Sequence, residues 1–214
     1  MPLAGRPMVE WSLLAMRSAP SVGPIVVAAP PGHDLGDADL RVVEGGETRS
    51  ESVSNALEEV DSELVAIHDA ARPLVTPDLI EEVIATLIGD PDAAGAIAAT
   101  PVTDTLKQVA DSAAGAGPAG RVADKPHPGV VNGPLVVEQT LDRGRLWAAQ
   151  TPQVFRVEAL RAALEADPEG AAAATDEATL VEAAGGRVLI RPAPAENLKV
   201  TTPLDLKLAE QLLK

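Results

Sequence analysis

Four short polar clusters interrupt an otherwise aliphatic chain. They are Gly45-Gly46-Glu47-Thr48-Arg49-Ser50-Glu51-Ser52, His68-Asp69-Ala70-Ala71-Arg72, Thr151-Pro152-Gln153 with Thr175-Asp176-Glu177, and Asn197-Leu198-Lys199-Val200-Thr201. Their residue types suit one kind of chemistry: glycines that expose backbone N–H groups, hydroxyls that orient a polar ligand, and an Arg and a Lys that neutralise phosphate charge. A nucleotide or phosphate site is the functional hypothesis they raise. Each cluster alone also has an ordinary explanation. Gly45-Gly46 is a turn, Ser50 or Ser52 a helix cap, Asp69 with Arg72 a surface ion pair, Thr175-Asp176-Glu177 a helix start, and Lys199 a solvated strand end. The absence of cysteine excludes thiolate nucleophiles and thiolate metal sites, and the three histidines, His33, His68 and His127, lie too far apart for a local metal motif.

The elements that must hold these clusters follow from periodicity. Continuous apolar runs at Pro24–Ala29, Leu40–Val43, Leu64–Ile67, Ala94–Ala99 and Arg187–Ile190 read as buried strands. Helical spacing follows Pro7 through Val9, Leu13, Leu14 and Met16, and recurs over Ser50–Val60, Val157–Ala166 and Asp176–Ala184, the last capped by Thr175. Thr76-Pro77 and Thr202-Pro203 each place an N-cap before a first-turn proline, opening helices to about Ile88 and to Leu213. Val102–Lys107 alternates as a half-exposed strand, Val136–Leu141 and Leu146–Gln150 read as two more, and Asn197–Val200 as a short one. Such alternation predicts an α/β sandwich around a mostly parallel sheet, in which ligands bind at the carboxyl ends of strands. All four polar clusters fall at such ends.

Composition narrows the classes further. The 214 residues carry 17 Lys plus Arg against 32 Asp plus Glu, a net charge of −15, which argues against a nucleic-acid partner. Apolar stretches of about eight to ten residues fall short of the ~20 needed to cross a bilayer, and no signal peptide opens the chain. A cytoplasmic location without membrane contact is the expectation. No internal repeat or clean linker is visible, and residues 110–135, rich in Ala, Gly, Pro and Asp, predict a flexible loop.

Taken in order, the strings resemble the 2-C-methyl-D-erythritol 4-phosphate cytidylyltransferase family. They run from Gly45-Gly46-Glu47-Thr48-Arg49-Ser50-Glu51-Ser52-Val53 and His68-Asp69-Ala70-Ala71-Arg72-Pro73 through Asp104-Thr105-Leu106-Lys107, Asp142-Arg143 and Leu146-Trp147. Gln150-Thr151-Pro152-Gln153, Thr175-Asp176-Glu177-Ala178 and Asn197-Leu198-Lys199-Val200-Thr201 complete the series, so the match covers nearly the whole chain outside 110–135. Ribitol-5-phosphate cytidylyltransferases share several of these strings, so that acceptor stays open, as does a truncated non-catalytic relic.

The resemblance implies a Rossmann-like three-layer sandwich of nucleotide-diphospho-sugar transferase type over 1–214, with a dimerisation arm over 103–150 containing the 110–135 insertion. It implies CMP transfer from CTP to the sugar-alcohol phosphate by a C2 homodimer, with Mg²⁺ carried mainly on the CTP phosphates and no dedicated metal ligands. Gly46, Glu47 and Ser52 would surround the cytosine, Asp69 and Ala70 the ribose and triphosphate, and Lys199 the α-phosphate. Lys199 and Asp69 would be the catalytic pair. Arg72, Thr151, Thr175 and Thr201 would bind the sugar phosphate, and Thr105 and Arg143 would complete the partner's site. One departure stands out. The family opens with a strand and an Ala-Ala-Gly-x-Gly-x-Arg loop ahead of a Leu-x-Gly-x-Pro segment, which here is Leu3-Ala4-Gly5-Arg6-Pro7. An N-terminally truncated chain, impaired in triphosphate binding, is therefore expected, through a start assigned too far downstream or a decayed paralogue.

Overall fold

The computed structural model describes residues 2–33, 35–109, 134–167, 170–171 and 174–213. Residues 2–100 and 148–213 build one compact unit and Pro101–Trp147 a second. The insertion expected at 110–135 lies outside the described residues, except for Pro134 and Leu135.

The larger unit opens with β1 (Pro2–Leu3) and β2 (Arg6–Pro7), a hairpin that sequence periodicity did not reveal. Ala4 and Gly5 both take positive φ, 47° and 82°, as a two-residue hairpin turn requires. Pro7 then stands as N-cap of α1 (Met8–Ser18). β3 (Ile25–Ala29) and β4 (Leu40–Glu44) pair in parallel from Ile25 opposite Leu40 to Ala29 opposite Glu44. α2 (Arg49–Leu57) begins at Thr48, not at Ser50 or Ser52. The Thr48 hydroxyl accepts from the Glu51 amide while the Glu51 carboxylate accepts from Thr48, a reciprocal capping box.

β5 (Leu64–Ile67) leads through the His68 cluster to α3 (Pro77–Ile88), capped by Thr76 as expected. β6 (Gly95–Pro101) and β9 (Trp147–Arg156) bracket the second unit in sequence, and β9 continues through Pro152 well beyond the expected Gln150. After α4 (Val157–Ala166) comes α5 (Glu177–Ala183). Its cap is Asp176 in place of Thr175, because the Asp176 carboxylate reaches the Thr179 amide. β10 (Val188–Pro192) and α6 (Pro203–Leu212) complete the unit, with Thr202 and Asp205 forming a second capping box. Asn197–Val200 is not a strand. Its groups are drawn into side-chain and loop contacts: the Asn197 side chain is buried, and the Val200 amide donates to Ala71 O at 2.7 Å.

Four strands form one sheet in the order β10-β6-β9-β5, and β3 with β4 forms another. β10 runs parallel to β6, from Val188 opposite Gly95, whereas β5 runs antiparallel to β9, from Leu64 opposite Arg156. The sheet is thus mixed, where apolar runs alone suggest a mostly parallel one. Alternate residues of β6 and β9 divide the core into two layers. Ala96, Ala98 and Val154 face α1 and α3 through Met16, Ile80, Val83 and Leu87. Ile97 and Phe155 face α4 and α5 through Leu160, Ala163, Leu180 and Val181. A three-layer sandwich results. No described helix is long and apolar enough to cross a membrane.

In the second unit, β7 (Lys107–Val109) pairs antiparallel with β8 (Val137–Thr140), and Lys107 Nζ donates to the Thr140 hydroxyl at 2.7 Å. Arg143–Arg145 forms a 3₁₀ turn capped by Asp142.

Candidate active site

Asp69, directly after β5, is the centre of the larger unit's polar cluster. Lys199 Nζ lies 2.9 Å from its Oδ2, Arg49 Nε 3.3 Å from its Oδ1, and Arg72 Nε 3.8 Å from its Oδ2. Arg49 also reaches the opposite way, its Nη1 donating to both oxygens of Glu177 at 2.5 Å. Glu177 is fully buried and Asp69 retains 15% exposure, while Lys199 keeps 44%. Three cations, Arg49, Arg72 and Lys199, therefore face two carboxylates, leaving one net positive charge in a protein of net −15. Such a local excess draws an anion.

Burial alone would raise the Asp69 pKa, yet the Lys199 hydrogen bond and the charges of Arg49 and Lys199 hold it below the ordinary carboxylate value. For Arg49, burial is outweighed by the Glu177 hydrogen bond and charge, so its pKa is raised. Burial lowers Arg72, partly offset by Asp69. All three groups remain charged at neutral pH.

Each charge is anchored by a specific element. Arg49 is the first residue of α2, so the Thr48 capping box sets its start point. Glu177 opens α5, whose cap Asp176 also accepts from Gln153 Nε2 of β9 at 3.0 Å. Arg72 donates to Asn197 O at 2.8 Å and Ala149 O at 3.3 Å, leaving its buried Nε, directed at Asp69, without a hydrogen bond. Asn197 in turn donates from Nδ2 to Gln150 Oε1 at 2.8 Å and Thr151 O at 2.9 Å, tying the Lys199 loop to β9.

His68 holds the backbone beneath Asp69. Its Nε2 lies 3.0 Å from the Arg72 carbonyl, which only accepts, so Nε2 carries the proton and Nδ1 accepts from the Thr151 hydroxyl at 2.9 Å. That hydroxyl also accepts from the Asp69 amide at 3.0 Å. Burial drives the His68 pKa down from 6.5 to about 4, so the ring is neutral.

The remaining sequence candidates divide by location. Gly46 N–H donates to the Ser52 hydroxyl at 3.1 Å, and that hydroxyl donates to Thr48 O at 3.0 Å. Only glycine fits at 46, where a Cβ would stand 2.2 Å from that of Glu51. Gly46, Glu47 and Ala70 are exposed. Thr151 is buried with its hydroxyl engaged as described, whereas Thr175 is exposed and Thr201 donates to the Asp205 carboxylate at 3.0 Å. Thr105 and Arg143 belong to the second unit, where Arg143 donates to Thr103 O. Arg49, Glu177 and His68 stand inside the polar clusters but received no role of their own from the sequence. Arg49 and Glu177 are 128 residues apart, so no local signal announces the pair.

A family model described as 2-C-methyl-D-erythritol 4-phosphate cytidylyltransferase matches residues 1–122 and 111–214. The chain belongs to that family. The relative of that name from Bordetella petrii is 38% identical over 221 residues, covering 99% of this chain and 87% of that protein. The one from Thermosynechococcus vestitus is 40% identical over 224 residues, covering 99% and 85%. Among solved structures, the cytidylyltransferase of Thermus thermophilus superposes with a TM-score of 0.77 at 31% identity, covering 99% of this chain and 91% of that one. The family fold accounts for the sandwich and for polar clusters at strand ends.

Proposed function

We propose that this chain catalyses transfer of CMP from CTP to 2-C-methyl-D-erythritol 4-phosphate, releasing pyrophosphate. The observation that carries this reading is the convergence of Arg49, Arg72 and Lys199 on Asp69 at the end of β5, in a chain of a cytidylyltransferase family. The relatives carry the methylerythritol name, so the ribitol acceptor and the inert relic are not favoured.

A phosphate oxygen of the acceptor attacks the α-phosphorus of CTP, a P–O bond forms there, and the bond to pyrophosphate breaks with its electron pair leaving on the pyrophosphate. The nucleophile is already an anion, so no general base is needed, and catalysis rests on positioning and charge neutralisation. Lys199, exposed enough to swing from Asp69 to a ligand, faces the α-phosphate. Arg72, fixed by two backbone carbonyls, binds the acceptor phosphate with Thr175 and Thr201, while Thr151 holds the loop that presents Asp69. Gly46, Glu47 and Ser52 border the cytosine, and Asp69 with Ala70 the ribose.

Among the described residues no three acidic or imidazole groups converge, and the single Asp69 carboxylate suits Mg²⁺ held mainly by substrate phosphates. When bound, that ion neutralises phosphate charge; Asp69 would offer it one oxygen. A homodimer in which Thr105 and Arg143 complete the partner's site, acting in the cytoplasm, belongs to the same proposal.

The test offers CTP and Mg²⁺ with methylerythritol phosphate and, separately, ribitol phosphate, and follows nucleotide binding and product mass. CDP-methylerythritol is the expected product. Binding of neither CTP nor the acceptor, with no product from either, would overturn the assignment.

A further inference from the structure

Gly45-Gly46-Glu47-Thr48 joins β4 to α2, and all of its backbone donors are committed within the chain. The Gly45 amide donates to Ala29 O at 2.8 Å, and the Gly46 amide to the Ser52 hydroxyl at 3.1 Å. A single carboxylate oxygen takes the other two: Glu51 Oε2 lies 2.6 Å from the Glu47 amide and 3.2 Å from that of Thr48. The Ser52 hydroxyl is committed as well, because its only proton goes to Thr48 O at 3.0 Å. What the segment has left are acceptors. Among the described residues the carbonyls of Gly45, Gly46 and Glu47 receive no hydrogen bond, and Ser52 Oγ keeps one lone pair.

Glu51 sets the direction of those carbonyls. A trans peptide plane carries its N–H and the preceding C=O on opposite sides, so aiming the Glu47 and Thr48 amides at Glu51 aims the Gly46 and Glu47 carbonyls away from it. Without that carboxylate both planes are free to turn over and offer N–H groups instead. Gly46 and Glu47 are exposed, so a ligand reaches the free acceptors. The edge also adjoins the charged cluster, since Ser52 lines the same cavity as Arg49, Asp69 and Lys199.

We propose that Glu51 is a specificity-determining positioning residue: it holds the 45–48 segment as an acceptor-only edge that takes a base with an exocyclic amine and rejects one with a carbonyl there. Cytosine and uracil differ in this way. The cytosine amino group donates to the free carbonyls, whereas uracil O4 meets them oxygen to oxygen with no proton between. Each hydrogen bond so gained or forfeited changes affinity by up to about tenfold. The inference rests on the CTP reading proposed above, whose base lies against this segment.

The test measures dissociation constants of CTP and UTP with Mg²⁺ by calorimetry for the wild type, Glu51→Gln, Glu51→Ala and Thr48→Val. Wild type is expected to hold CTP about tenfold more tightly than UTP. Glu51→Gln keeps an acceptor oxygen in place and should retain that ratio, whereas Glu51→Ala frees the Glu47 and Thr48 amides and should bring it close to unity. Thr48→Val breaks only the other half of the capping box, the bond from the Glu51 amide, and should keep the ratio despite a looser helix start. Weakening of CTP and UTP in equal proportion by Glu51→Ala overturns the proposal, as does equal loss of discrimination in Thr48→Val. A wild type without preference for CTP, binding of neither nucleotide included, overturns it too. A Glu51-dependent CTP preference without CMP transfer to either acceptor upholds the inference and removes only the reaction.

Discussion

Removing the Glu177 carboxylate should destabilise the protein more than any surface charge would. Glu177 is fully buried, both oxygens are met by Arg49 at 2.5 Å, and the Arg49 side chain is itself 30% exposed. Breaking a buried pair by deleting one partner costs about 3–5 kcal/mol, since the survivor's charge stays in a poorly solvated place. Arg49 keeps Asp69 at 3.3 Å and some water, which places Glu177→Ala near the low end, about 3 kcal/mol. For a chain of this size that corresponds to a Tm drop of roughly 6–12 °C. Urea melts and thermal scans of Glu177→Ala, Arg49→Met and the double variant Arg49→Met/Glu177→Leu supply the measurement. The double variant should recover most of the lost stability, because an apolar pair of similar volume removes both buried charges. It should nevertheless transfer CMP poorly, since Asp69 loses the guanidinium that holds its Oδ1. A Tm change under about 2 °C for Glu177→Ala, or a double variant as unstable as the sum of its singles, would refute the reasoning.

Three further outcomes follow from the same network. His68 has a folded pKa of about 4 against 6.5, so the unfolded chain takes up the proton first. Its contribution to stability is complete above about pH 6.5 and is lost as pH falls, by about 3 kcal/mol at pH 4. Denaturant melts of the wild type and His68→Gln across pH 7.5 to 4 should converge at the acid end; parallel curves would contradict the assignment. Lys199→Ala should cut CMP transfer by about 10²–10³ with a much smaller effect on the melt, because the side chain is 44% exposed and Asp69 keeps Arg49 and Arg72 as cationic partners. Wild-type turnover in that variant would remove Lys199 from the reaction. Asn197→Ala strands the buried Gln150 and Thr151 acceptors and should cost about 2 kcal/mol, read by urea titration, with no loss if those acceptors are not sealed from water.

What could be read along the chain was what depends on near neighbours. Thr76, Thr202 and their following prolines marked helix starts because a cap is a bond between residues three apart. The aliphatic runs of β3 and β5 marked strands, and hydroxyls, glycines and cations after them marked ligand-binding ends. Cap choice failed only where two acceptors competed, as at Thr175 and Asp176, or Ser50 and Thr48. The order of the polar strings was legible too, and with it the family.

Partner choice at a distance was not legible. Arg49 finds Glu177 128 residues away, and Thr151 finds His68 83 residues away, because α5 and β9 pack beside the loops that follow β4 and β5. An Arg at a helix start and a Glu at another each look like ordinary solvated charges until packing buries them together. The antiparallel pairing of β9 with β5 is likewise a property of strand order, which a period-two pattern does not encode. Local sequence set which residues could be charged, capped or buried; only the tertiary arrangement decided which charges face one another in low dielectric, and therefore which of them are coupled.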